Sequence, residues 1–294
     1  MRTRIILNPS AGNGQAVQRL QAIRLLLETH WQPIDWQLSR STQHVTDLAR
    51  EAVQADYAQV IVAGGDGTVH YAANGIVGSQ VPLGILPVGT GNDIAMSLGL
   101  SRHLDVAAKQ LIQAQHCYYD VIQVGSRFSY CVLGMGMDTP ALQRINASRL
   151  PRGRLMYSGY ALRTLFDYRA QPLTIKGDGI DFDGHIIFVA MANTATYAGG
   201  IPIAPGAKID DGHLNLCIIP AMSKLKSLLC FNQVMTATHI HRREVLFKTC
   251  THIQVTGDVP ITLDGELTDL TLPLTIQILP QALLMLGGHH HDHP

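Results

Sequence analysis

The chain has 294 residues, 46% of them hydrophobic and only 15% charged, which excludes a disordered chain and supplies a sizeable core for one large or two smaller domains. Lysine plus arginine number 22 and aspartate plus glutamate 22, so no whole-chain field steers the protein to nucleic acid, and any recognition of charge is local. The five cysteines, Cys117, Cys131, Cys217, Cys230 and Cys250, are odd in number and lack a C-x-x-C; they argue against a disulfide framework or a zinc site and fit a reducing cytoplasm.

The opening "MRTRIILNPSAG" has too short an apolar run for a signal peptide, and no uninterrupted apolar stretch is long enough to span a bilayer. The expectation is a cytoplasmic protein, soluble or peripheral on the inner face of the membrane. "RIIL" reads as a strand that leads through the loop "NPSAGNG" into a helix from Gln15 to His30, where Val17, Leu20, Ile23 and Leu27 recur at helical spacing. A second helix runs from about Val45, with Ser41 and Thr42 available to cap it. "QVIVA" is then a strand, "GGDGT" a loop, and the helix "VHYAANGIV" starts near Val69. The unit repeats with the strand "PLGIL", the loop "PVGTGND", a short helix, a further helix opened by Asp105, and the strand "CYYDVIQV".

Alternating strands and helices predict a parallel α/β sheet, and three glycine-rich loops fall at the carboxyl ends of its strands, where such sheets bind ligands. Beyond about Asp120 strands follow strands ("RFSYCVLG", "HIIFVAMAN", "HLNLCIIP", "HIQVTG"), which predicts a β-rich second domain. Near its end Leu270, Leu272, Leu274, Ile276 and Ile278 keep strict period two, the mark of a strand with one buried face. The closing "QALLML" is expected to return to the first domain. The histidine-rich tail "GGHHHDHP" is set aside as an adventitious metal binder or a remnant.

The chemistry lies in the glycine loops. Backbone N–H groups cup phosphate where the chain can approach closely and adopt positive φ, and Gly64, Gly65 and Gly67 allow both. The helix that follows adds its positive N-terminal end. A carboxylate among phosphates calls for a cation between them, which makes Asp66 a candidate partner of magnesium. Asn8 and Gly12 of "NPSAGNG" are placed to hold phosphate or a neighbouring loop. Neither G-x-x-x-x-G-K-[ST] nor G-x-G-x-x-G occurs, so a P-loop or a Rossmann dehydrogenase is not supported.

Taken in order, "NPSAGNG" from Asn8, "GGDGT" from Gly64, "LPVGTGND" from Leu86, "GMGMD" around Met135, "IAPGAKIDDGHLNL" from Ile203 and "LDGE" from Leu263 resemble the blocks of the diacylglycerol kinase catalytic-domain family. The likeness covers nearly the whole chain and is nearest to the bacterial lipid kinases; the same fold family takes in sphingosine kinases and, distantly, NAD kinases. It implies an N-terminal parallel α/β domain of the NAD kinase kind over residues 1–120, with 281–294 returning to it, and a C-terminal β-sandwich over 121–280. It implies ATP as co-substrate, magnesium, and a lipid met at a membrane surface; a homodimer is among the assemblies it allows.

Carried over residue by residue, Ser39 stands where the family has a nucleotide-contacting threonine. Gly64, Gly65, Asp66, Gly67, Thr68, Val69 and His70 match the phosphate loop, with histidine where related bacterial kinases often carry asparagine. Thr90 matches a nucleotide contact. Lys208, Asp211 and His213 match a structural magnesium site, to which at least two would bring backbone oxygens, since a lysine side chain accepts nothing. Glu266 matches the proton acceptor, with Asp66 the other catalytic candidate. Between Arg144 and Arg169, six arginines (144, 149, 152, 154, 163 and 169) mix with Leu155, Met156, Leu162, Leu165 and Phe166; this suits either anionic headgroups or a helix packed on the sandwich with its arginines in water. The competing readings are an NAD kinase-like enzyme with a soluble substrate and a catalytically silent lipid-binding protein of the same fold.

Overall fold

The computed structural model describes residues 2–148 and 154–287, so Arg149, Arg152 and all of the tail after Gly287 lie outside the described residues. The chain divides into two compact units, one of residues up to Tyr119 together with those from Gln281, the other from Asp120 to Pro280.

In the first unit the elements run β1 (Thr3–Leu7), α1 (Ala16–Gln21), α2 (Arg24–His30), β2 (Ile34–Leu38), α3 (Thr42–Gln54), β3 (Gln59–Gly64), α4 (Asp66–Ile76), β4 (Leu83–Pro87), α5 (Asp93–Ser97), α6 (Leu104–Ile112) and the start of β5 (Gln115–Val124). β1, β3 and β4 are mostly apolar and buried almost throughout, as strands covered on both faces must be. They form a parallel sheet in the order β2-β1-β3-β4, with Leu7 opposite Ala63 and Ala63 opposite Leu86. Arg4 is buried in β1, and its charge is matched: Nε donates to Asp35 Oδ2 at 2.9 Å on β2, and Nη1 to Leu48 O at 2.9 Å on α3. α3 begins where Ser41 Oγ accepts from His44 N at 3.1 Å, a side-chain N-cap.

The second unit is antiparallel. It contains the rest of β5, then β6 (Arg127–Ser129), β7 (Val132–Gly136), α7 (Asp138–Ala147), α8 (Arg154–Asp167), β8 (Gln171–Gly177), β9 (Ile180–Ala192), β10 (Leu214–Pro220), α9 (Lys224–Met235), β11 (Leu246–Cys250), β12 (His252–Gly257), β13 (Ile261–Leu263), β14 (Glu266–Leu267) and the start of β15 (Leu274–Gly287). β9 serves three partners along its length: Ile180 to Ile186 pair with β8, and Phe188 to Ala192 pair with β7 on one side and β10 on the other. Inward residues of these strands, among them Leu133, Met135, Ile175, Val189, Leu216 and Ile253, form one apolar core.

Three local readings change. The helix expected over 15–30 is two helices, because Ile23 takes φ −109° and bonds Leu20 O three residues back, breaking the ladder; Val17 is 39% exposed. The "GGDGT" stretch is a loop only at Gly65, since β3 ends at Gly64 and α4 begins at Asp66. The period-two leucines enter a strand only at Leu274; Leu270 and Leu272 precede it yet still pack on the core.

Candidate active site

Within the first unit three loops leave the carboxyl ends of parallel strands and meet. Asn8, after β1, donates from Nδ2 to Thr68 Oγ1 at 2.9 Å and accepts Ser10 N on Oδ1 at 3.0 Å. Gly64 O, at the end of β3, accepts both Val88 N at 3.1 Å and Gly89 N at 3.2 Å from the loop after β4. Gly65 and Gly89 touch backbone to backbone: a Cβ on Gly89 would lie 2.3 Å from Gly65 Cα, so only glycine fits.

Starting α4 at Asp66 puts the N–H groups of its first turn at this junction, with the positive end of the helix behind them. Asp66 Oδ1 accepts Ile94 N at 3.0 Å in the first turn of α5, so one carboxylate ties the second glycine loop to the third. Asn92, which the sequence reading did not single out, adopts φ 60° and donates to Gly89 O at 3.0 Å. Its Oδ1 is buried beside the two glycines and has no hydrogen-bond partner. A buried carbonyl oxygen left without a donor, next to a carboxylate, is a hard oxygen set that fits a magnesium ion or its water. The sequence signal for Asn92 was its place between glycine and a helix start, where asparagine tolerates positive φ.

The other nucleotide-side candidates differ in what they present. Ser39 is buried and its Oγ donates to Leu7 O at 3.3 Å. Val69 and His70 lie buried within α4, and His70 packs edge-on to Tyr71 with ring centres 5.1 Å apart. Thr90 is exposed at the loop tip, Gly67 half-buried in the first turn of α4.

In the second unit Glu266 follows a tight hairpin turn between β13 and β14 in which Asp264 and Gly265 both have positive φ, 51° and 78°. That is a two-residue turn of the primed kind, which suits the twist of a hairpin. Asp264 also takes four donors: its Oδ1 accepts Ser129 Oγ at 2.6 Å, Cys131 N at 2.7 Å and Val132 N at 3.1 Å, and its Oδ2 accepts Tyr130 N at 2.9 Å. The turn that presents the half-buried Glu266 is therefore bolted to the 129–132 segment.

The loop carrying Lys208, Asp211 and His213 is held from below by buried Asp120, whose Oδ2 accepts Gly212 N at 2.6 Å. Asp211 Oδ1 accepts His213 N at 3.0 Å, and His213 Nδ1 lies 2.6 Å from Asp211 O. Lys208, Asp211 and His213 are all exposed. Among the described residues no three His, Cys, Asp or Glu side chains cluster as a metal site, so a cation in this loop would rest on the Asp211 carboxylate and backbone oxygens.

A small, open-mouthed apolar pocket lies in the same unit, lined by Met137, Phe188, Ile203, Ile219, Phe231 and Met235. One acid reaches it. Asp138, at the start of α7, is buried, bonded to Tyr157 Oη, and accepts Thr262 Oγ1 at 2.7 Å from β13. Burial pushes its carboxyl above the ordinary value against those two hydrogen bonds, and burial beside Asp138 raises the Tyr157 phenol well above its own.

A family model described as "Diacylglycerol kinase catalytic domain" matches residues 2–124, and one described as "YegS C-terminal NAD kinase beta sandwich-like domain" matches residues 131–287. The chain is 28% identical over 296 residues to a "Diacylglycerol kinase" of Mycobacterium tuberculosis, covering 97% of this chain and 94% of the relative. It is 26% identical over 298 residues to a "Probable lipid kinase YegS-like" of Yersinia enterocolitica, covering 96% and 95%. The crystal structure of a diacylglycerol kinase from Bacillus anthracis superposes with a TM-score of 0.77 at 22% identity, covering 98% of this chain and 97% of that one.

Proposed function

The chain belongs to the diacylglycerol kinase family, in its bacterial lipid kinase branch, and from that premise we propose that it moves the γ-phosphoryl group of ATP to a lipid hydroxyl with magnesium. The observation that carries this reading is the junction of three glycine-rich loops at one helix N-terminus, tied by Asp66 to Ile94 N at 3.0 Å. Phosphoryl transfer needs alignment and neutralised charge more than covalent help. The segment from Gly64 through His70, which runs from the end of β3 into α4, offers N–H groups to the phosphates, with Asn8 bracing Thr68 and Thr90 and Ser39 on the nucleotide. Magnesium, when bound, supplies positive charge against the phosphate oxygens, and Asp66 and Asn92 Oδ1 are the residues that would hold it or its water. Lys208, Asp211 and His213 would hold a second, structural ion.

Glu266 acts on the acceptor. As the lipid oxygen bonds to phosphorus and the bond to the ADP oxygen breaks, the hydroxyl proton passes to the Glu266 carboxylate. The bolted turn before it keeps that carboxylate in one place, which is the condition for general base catalysis to be efficient. The relatives named as a diacylglycerol kinase and a lipid kinase support a lipid acceptor over a soluble dinucleotide.

Labelled ATP tested against diacylglycerol, monoacylglycerol, a sphingoid base, an isoprenoid alcohol and NAD decides the reading. Label in a lipid and none in NAD is expected. Label in NAD alone overturns it in favour of a soluble-substrate kinase, and none in any acceptor, with lipid still bound, in favour of a silent lipid binder.

A further inference from the structure

Two helices of the second unit are apolar on the side that faces away from the core. On α9 the inward face is Ser227, Cys230 and Val234, all buried. The outward face carries Leu225, Leu228 and Leu229 at 70%, 38% and 52% exposure, and their spacing of three and four residues makes them one patch. A helix that served only to cover the sandwich would be polar there.

α8 continues the surface. Lys224 Nζ donates to Phe166 O at 3.3 Å, and Arg154 Nη2 to Met235 O at 3.4 Å, so the end of α8 lies beside the start of α9 and the two helices run antiparallel. Leu155, Arg163 and Phe166 share the outer stripe of α8, and all three are exposed. The inner sides of the same helices, through Tyr157, Ala161, Phe231 and Met235, wall the apolar pocket. The cations on this layer are in excess: Asp167 is taken by Arg144 at 3.0 Å and Glu244 by Lys226 at 3.0 Å. Among the described residues no carboxylate pairs with Lys224, Arg163 or Arg169.

We propose that the outer face of α8 and α9 docks this protein on an anionic lipid bilayer, with Leu225, Leu228, Leu229 and Phe166 entering the interface and Lys224, Arg163 and Arg169 meeting the headgroups. The charge selects the occupant. A second copy seated face to face by two-fold symmetry would set this cationic rim against itself, whereas anionic headgroups match it. The proposal rests on the lipid kinase reading for its purpose, since it brings the wall of the apolar pocket to the surface that holds the substrate.

The test is sedimentation of the full chain, without ATP, with vesicles of phosphatidylcholine alone or mixed with phosphatidylglycerol. Wild type is expected to bind the mixed vesicles and to be released by salt. The double variant Leu225→Glu/Leu229→Glu should lose about tenfold or more of that binding, while its melting temperature and its activity on a short-chain lipid dispersed in detergent stay at wild-type levels. Lys224→Ala/Arg163→Ala should weaken binding to mixed vesicles and leave the weak binding to neutral ones unchanged. Wild-type binding by the leucine variant overturns the proposal, as does a dimer that the leucine variant dissociates without loss of vesicle binding. If the wild type binds vesicles through these leucines but phosphorylates no lipid, docking stands and the kinase reading fails.

Discussion

Asp66 and Asp264 both sit next to glycine, and both accept backbone N–H groups from remote segments. Asp66 accepts Ile94 N of α5 at 3.0 Å, a bond that an asparagine carbonyl also accepts. Asp66→Asn is therefore expected to keep the melting temperature and abolish phosphoryl transfer; normal activity would remove Asp66 from the mechanism. Asp264 accepts donors from Ser129, Tyr130, Cys131 and Val132, and because these partners are remote in the chain no local pattern marks the role of its carboxylate. Glu266, two residues on, is the sharper test. Glu266→Gln keeps size and polarity but takes no proton, so kcat should fall by roughly two to four orders of magnitude with the KM for ATP unchanged. Wild-type kcat with a raised KM would make it a nucleotide contact instead.

The start of α3 was legible in the sequence; the start of α4 and the break between α1 and α2 were not. Ser41 was readable as a cap because its oxygen acts on a backbone N–H three residues away, a wholly local interaction. The break at Ile23 and the start of α4 at Asp66 depend on what the neighbouring strands and loops accept, and no spacing of apolar residues records that. The short helical turn His239–His241 after α9 offers a pH test. His239 is fully buried, with Nε2 at 3.0 Å from Ile203 O. Burial above all pushes its pKa below the ordinary 6.5. The unfolded chain then binds that proton more readily, so the contribution of His239 is complete above about pH 6.5 and is lost as the pH falls through the lowered folded value. Urea midpoints between about pH 8 and pH 5 should fall more steeply for wild type than for His239→Gln. Parallel curves would show that other groups set the slope.

For the whole molecule, the chain's last described strand is a structural part of its first unit. Met285 of β15 pairs in parallel with Leu83 of β4, and Leu283, Leu284, Met285 and Leu286 are buried there. At about 1.5 to 3 kcal/mol for each buried side chain, the four together match the roughly 5–15 kcal/mol that holds a domain folded. A chain ending at Pro280 is expected to lose amide-exchange protection at Ile61, Val62 and Ile85 in the neighbouring strands. Full protection there would mean that the first unit closes without its last strand. At this scale too, the net charge is zero and among the described residues no helix is long and apolar enough to cross a bilayer, so the proposed docking falls to local surfaces.

By itself the sequence determined the two kinds of domain, the glycine loops at strand ends, the capped start of α3 and the family, because alternation, capping and motif order are written in neighbouring residues. The tertiary structure decided what those residues touch. That Asp66 reaches Ile94, that Asn92 keeps an unpartnered buried oxygen beside Gly65, and that Asp264 fastens the turn before Glu266 all depend on segments between 27 and 135 residues apart meeting in space. The outward leucines of α9 were hidden for the same reason. A helix with apolar residues on every side reads as simply buried until the fold shows which side the core has taken.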